Sequence, residues 1–183
     1  MASYPYTIDN GHGESLTWLR VVREAGGDRI EAEGRAQPGA GPPMHVHYLQ
    51  EEAVRVVSGK VGYQLLGGEE QFAGPGELVM WPPGTAHRWW NAGADELVTT
   101  GWCKPAGNIE FFLGAIFASV KETGQGRPSI FDAAYLTTRY RSEYAMLAIP
   151  IAVQRIVFPM VILIGRMLGK YTKYANPPAP IAR

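Results

Sequence analysis

Between Gly39 and Asn91 the chain sets three histidines and a glutamate among glycines and prolines, at spacings that leave few folds open. His45 and His47 are two residues apart, so on a strand of period two both imidazoles leave the same face. One strand can thereby offer two metal ligands. Glu51 and Glu52 are adjacent, and a regular strand turns them to opposite faces. An inward Glu52 brings Val54 and Val56 inward and turns Glu51, Ala53 and Arg55 outward, whereas an inward Glu51 would bury Arg55. Glu52 is therefore the predicted partner of the histidines. His87 follows Pro82-Pro83-Gly84, where the prolines restrict φ and the glycine permits reversal. The strand carrying His87 thus starts at a defined place, with Trp89 and Asn91 sharing its parity.

These residues carry a family resemblance. Gly39, His45, His47, Glu52 and Gly59 fit the pattern G-x5-H-x-H-x4-E-x6-G, which is similar to the first cupin motif. Gly76, Pro82, Gly84, His87 and Asn91 fit G-x5-P-x-G-x2-H-x3-N, which resembles the second. The resemblance covers roughly the middle third of the chain. It implies a mainly β fold, a small antiparallel β-barrel of the cupin or jelly-roll type. It also implies that His45, His47, Glu52 and His87 bind a divalent metal in the interior. Two readings of the residues themselves stay open: a ligand set, or hydrogen-bonded polar groups in a barrel core.

The flanking sequence extends the β pattern. Ser15 to Val22 and Arg29 to Ala36 read as a hairpin turned by Gly26-Gly27-Asp28. Shorter strand-like runs follow at Met44 to Tyr48, Ala53 to Val57, Lys60 to Leu66, Glu69 to Ala73, Leu78 to Trp81, His87 to Asn91 and Glu96 to Lys104, divided by Gly- and Pro-containing turns. Residues 1–14 read as a polar arm or loop, with His12 a surface histidine. After Pro105 the pattern changes to helical. Ile109, Phe112, Leu113, Ile116, Phe117 and Val120 form one apolar stripe behind Asn108, ended by Gly124. Ser129 with Asp132 resembles a capping box opening a second helix to about Tyr144. A third helical stretch runs from near Pro150 to Gly169, interrupted by Pro159, before a proline-rich extended tail. The expected division is a barrel domain with an N-terminal arm, 1–107, and a C-terminal α-helical extension, 108–183, packed on the barrel or on a dimer partner.

The stretch from Ala145 to Gly165 is very apolar, but Gln154 and Arg155 near its middle and its two prolines argue against a membrane span. A membrane partner is therefore not expected, peripheral membrane contact being the lesser reading of this stretch, and the surplus of apolar helix surface suggests a homodimer. Basic and acidic residues balance at 17 each, with no basic stripe or helix-turn-helix pattern, so no nucleic-acid partner is expected. The single cysteine, Cys103, and the lack of a secretory pattern at the N-terminus suggest a cytoplasmic location.

Three imidazoles and a carboxylate suit a divalent transition metal: Fe, Mn, Ni, Cu, Co or Zn. Trp18, Tyr63, Leu65, Met80 and Trp89 are the candidate lining of a small-molecule substrate pocket, unless they simply fill the barrel. The first functional expectation is a metal-dependent oxygenase, resembling quercetin dioxygenase in type, acting on a small enol or phenol, with Glu52 as the catalytic base. The second is a non-catalytic module binding metal or a small ligand. A cupin isomerase or decarboxylase is a further alternative.

Overall fold

In the computed structural model, which describes residues 3–182, the chain alternates between two antiparallel sheets. The first holds β1 (Tyr6–Asp9), β2 (Glu14–Val22), β3 (Arg29–Ala36), β10 (Leu97–Lys104), β5 (Glu51–Ser58) and β8 (Leu78–Trp81), and the chain's order across it is β1-β2-β3-β10-β5-β8. The second holds β4 (His45–His47), β6 (Val61–Leu65), β7 (Glu70–Ala73), β9 (Ala86–Asn91) and β11 (Tyr144–Met146), in the order β11-β4-β9-β6-β7. Strands β4 to β10 pass back and forth between the sheets, a jelly-roll arrangement. The sheets face each other without joining into a hydrogen-bonded barrel, which corrects the closed form expected from sequence. At the β8 edge, Pro82 and Pro83 follow directly and bring no N–H to prolong the ladder.

Alternation along the strands builds the core between the sheets. Val54 and Val56 of β5 point inward with Glu52, and meet Val61, Ala73, Val79, Trp81, Leu97 and Ala36. Ala53 lies on the other face but is small enough to be covered by its cross-strand neighbours Trp102 and Met80. Gly101, in the centre of β10, admits no side chain because a Cβ would strike the Ala53 carbonyl oxygen.

The C-terminal part shares a second core with the outer strands. Helix α1 (Ile109–Thr123) places Ile109 and Phe112 against Trp18, Ile30 and Ala32, and α2 (Ile130–Arg139) adds Leu136. The expected cap at Ser129 is present, its Oγ accepting from the Asp132 N–H at 3.1 Å. Asn108 precedes α1 but does not cap it with its side chain. Instead its amide donates to the Glu143 carboxyl at 2.7 Å.

Three further expectations are revised. Part of the supposed N-terminal arm is strand β1, paired with β2 and tied to α1 by hydrogen bonds from Tyr4 and Tyr6 to Glu110. The first two residues of that arm lie outside the described ones. Helix α2 ends at Arg139, short of Tyr144, because Tyr144 to Met146 form β11 on the open edge of β4. The last helical stretch runs through Pro159 without a break. Its turn widens over Val153–Val157, where the Phe158 N–H reaches the Val153 carbonyl, and continues as α3 (Phe158–Met167). Proline at 159 cannot donate to Arg155, and the wider turn makes room for its ring.

Candidate metal centre

The short strand β4 carries His45 and His47 on one face. Register places His45 opposite His87 of β9 in the same sheet, while Glu52 reaches across from β5 in the facing sheet. The four side chains converge on one oxygen. Glu52 Oε2 lies 3.5 Å from His45 Nε2, 3.2 Å from His47 Nε2 and 3.2 Å from His87 Nε2. The ligand atoms of His45, His47 and Glu52 all fall within 4.8 Å of one another, and His87 joins them through its approach to Oε2. The three histidines are buried.

Each imidazole is held by its other nitrogen. His45 Nδ1 is 2.8 Å from the Pro43 carbonyl oxygen, and His87 Nδ1 is 3.0 Å from that of Thr85. His47 Nδ1 lies 3.3 Å from Gln50 Oε1. The Gln50 amide is oriented by its other end, which donates to the Ala106 carbonyl at 3.4 Å and to the Tyr144 hydroxyl at 2.8 Å. Carbonyl oxygens only accept, so all three Nδ1 atoms carry the proton and donate. The three Nε2 atoms therefore present lone pairs to a carboxylate that also only accepts. Without a cation the cluster would need several buried imidazoliums around one anion; a single metal ion among the four donors resolves the conflict. The residues present thus fit a divalent transition metal.

The electrostatics point the same way. Burial pushes the His47 pKa down to about 4, against the attraction of Glu52, so this ring is neutral at pH 7. Burial would raise the Glu52 carboxyl, but positive charge at His47 and hydrogen bonds from His45 and His87 would outweigh it and hold the group well below the usual carboxylate range; with the three Nε2 atoms unprotonated, a metal cation would supply that positive charge. Cys103 is the direct partner of Glu52 across β10 and β5. Burial, and then the Glu52 charge, push its thiol well above its ordinary value.

Of the expected pocket residues, the structure brings two close to this cluster. Trp89 donates its indole N–H to Glu52 Oε1 at 3.3 Å. Tyr63 pairs with Trp89 across β6 and β9, and both pack against the inter-sheet core. Leu65 shares the inner face with His87 but stands at the rim, 38% exposed. Met80 does not line the interior: Val79 and Trp81 take the inward positions of β8, and alternation turns Met80 out to 49% exposure. Trp18 is buried in the other core, against Ile109 and Phe112. His12 remains at the surface, its Nε2 accepting from the Gly126 N–H at 3.1 Å.

Sequence reasoning overlooked Gln50, Tyr144 and Trp81. Gln50 has the same parity as Glu52, two positions earlier, and that signal was available. Trp81 lies opposite Glu52 in the β5–β8 ladder and stacks on His87, with ring centroids 4.1 Å apart and planes at 5°. Tyr144 has no local signal, since its pairing with His47 comes from a strand 97 residues further along. Gln50→Leu is expected to weaken metal binding about 10- to 100-fold while the protein stays folded, because an outer partner orients its ligand. Titration against a competing chelator measures this, and an unchanged affinity would remove Gln50 from the centre.

Residues 33–101 match the family described as cupin domain. Probable oxidoreductase virH of Hypocrea virens is 30% identical over 70 residues, covering 37% of this chain and 32% of that protein. Oxidoreductase iacF of Pestalotiopsis fici is 32% identical over 79 residues, covering 42% of this chain and 39% of that protein. The chain therefore spans about a third of the length of the curated relatives it matches. A Klebsiella pneumoniae protein with a double-stranded β-helix domain is 24% identical, covers 47% of this chain and 70% of its own, and superposes with a TM-score of 0.41. The family match falls on the strands that carry the three histidines and Glu52, and residues 33–101 of this chain are a cupin domain.

Proposed function

We propose that His45, His47, Glu52 and His87 hold one divalent transition metal, and that the protein is an oxygenase acting on a small enol or phenol. The observation that carries the metal reading is the convergence of three Nδ1-tethered imidazoles on a single carboxylate oxygen. The oxidoreductase names of the two fungal relatives support redox chemistry over isomerisation. When bound, the metal supplies a Lewis acid for the substrate oxygen and a site for dioxygen chemistry.

The chain's own residues have separable tasks. Pro43, Thr85 and Gln50 fix the imidazole rings, so the donor atoms are placed before any metal arrives. Glu52 takes the substrate hydroxyl proton at Oε1, the oxygen turned away from the histidines, and the long contact from Trp89 keeps that oxygen in place. Trp81 closes one side of His87 and excludes water there. Tyr63 and Leu65 lead outward along the same inner face toward the rim.

Oxygen uptake with candidate enols, by protein reconstituted in turn with Fe, Mn, Ni or Cu, tests the proposal. Glu52→Gln is expected to lower the turnover about 10²- to 10⁴-fold, the range for losing a general base. No uptake by any metal form would sink the oxygenase reading and leave a metal-binding module. One observation favours that second reading: Tyr63 and Trp89 pack against the inter-sheet core, so they help to fill the interior as well as face the centre.

A further inference from the structure

Helix α3 turns its most apolar stripe away from the body of the protein. Phe158 and Gly165 are buried, with Gly165 against the Tyr171 ring, and the helix packs on α2. On the opposite side Ile156, Met160, Leu163 and Met167 follow one another at helical spacing, 66%, 62%, 60% and 72% exposed. Ile151, Val157, Ile164 and Leu168 widen the stripe. Folded proteins rarely expose so continuous an apolar surface unless it meets a partner.

Charge indicates which partner. The segment from Tyr144 to Arg183 holds five basic residues and no acidic one, while all 17 acidic residues lie before it. Lys173 is engaged by Glu122 and Asp132. Arg155 and Arg166 form no ion pair among the described residues, and both project from one edge of the exposed stripe. A second copy docking through the same helix would bring these arginines toward each other with no acid on the helix to pair them, which is unfavourable. An anionic lipid surface satisfies both features: the stripe enters the acyl boundary while the arginine heads and Lys170 remain at headgroup level.

The helical stretch from Ile151 to Met167 is about 26 Å long at the standard rise. No helix among the described residues is long and apolar enough to cross a membrane. The geometry points to α3 as an in-plane anchor that docks this protein onto an anionic bilayer, independently of what the metal centre does. Peripheral membrane contact, the lesser reading of this stretch from sequence, is thus the one the exposed stripe and its arginines favour.

The test is flotation of the full-length protein with vesicles of phosphatidylcholine containing a quarter phosphatidylglycerol, beside vesicles of phosphatidylcholine alone. The expected result is binding to the anionic vesicles that weakens with added salt, because exposed charges are screened. Met160→Glu with Leu163→Glu should lower it by about tenfold or more, since each buried side chain of this size contributes roughly that factor. Arg155→Glu with Arg166→Glu should lower it by about tenfold or more through lost lipid attraction. Melting temperature checks that each variant is folded; if the apolar pair is not, the arginine pair decides. Absence of binding to anionic vesicles, or binding unchanged in the folded variants, would overturn the proposal. So would a dimer on size exclusion that the same substitutions dissolve while vesicles capture nothing, which would assign the stripe to a second copy.

Discussion

Replacing His47 and Glu52 together with alanine is expected to leave a folded protein that no longer retains metal. Structural zinc sites with four ligands bind with roughly 10–16 kcal/mol, so each ligand is worth about 3 kcal/mol and two are worth a loss of about 10⁴ in affinity. The apo protein should tolerate the change. His47 is a buried ring held neutral, and removing Glu52 together with it takes away the buried anion of the cluster, so no unpaired charge is left behind. Elemental analysis of protein purified without a histidine tag should find near-stoichiometric metal in the parent and little in the variant. Melting curves should show that added metal raises the midpoint of the parent alone. Equal metal in both proteins would mean that the four side chains are polar core groups.

Glu143→Ala is expected to be the most destabilising single substitution outside the hydrophobic cores. The Glu143 side chain is fully buried and accepts from four donors: the Asn108 backbone N–H at 3.2 Å, the Asn108 amide at 2.7 Å, the Ile181 N–H at 3.0 Å and the Tyr144 hydroxyl at 3.5 Å. One carboxyl group thereby joins the start of α1, the C-terminal tail and β11. Each orphaned buried donor costs about 1–3 kcal/mol, partly relieved where water can enter, so a loss of about 3–4 kcal/mol is expected. In a chain of this size that lowers the melting midpoint by about 10 °C. Glu143→Gln keeps the shape but turns an amide donor toward other donors, and should fall about halfway between.

The same substitution reaches the metal centre. Tyr144 receives the Gln50 amide, and Gln50 holds His47. Metal affinity should therefore fall alongside stability in Glu143→Ala, by less than in Gln50→Leu. A variant that melts within about 2 °C of the parent would show that Glu143 is a bystander in a fold secured by packing.

Much of the fold was legible because its signals are local. Glycine and proline mark the turns by their backbone preferences, and a period of two follows from strand geometry whatever the strand later pairs with. That is why the runs from Ser15 to Lys104 lie close to the observed strands, and why parity put His45 and His47 on one face and chose Glu52 over Glu51, while the cupin resemblance implied that these faces meet. Adjacent positions were harder. Met80 and Trp81 are both large and apolar, and only the register with Glu52 and Ala53 shows that Trp81 is the one facing His87. Trp18 was equally ambiguous, because helices that cover β2 convert an outer strand face into a second core.

By itself, then, the sequence determined most of the strands with their turns and the faces of His45, His47 and Glu52, since these depend on spacing within a few residues, and its two motifs carried the resemblance that implies a jelly roll with four converging side chains. Tertiary structure decided the rest. It left the sheets unclosed, turned the expected end of α2 into an edge strand beside His47, and tied that histidine through Gln50 to a tyrosine 97 residues away. It also placed the apolar stripe of α3 outward. The physical reason is one of range: backbone preference and periodicity act between near neighbours, whereas edge pairing, outer hydrogen-bond partners and the choice of exposed face exist only once distant segments are in contact.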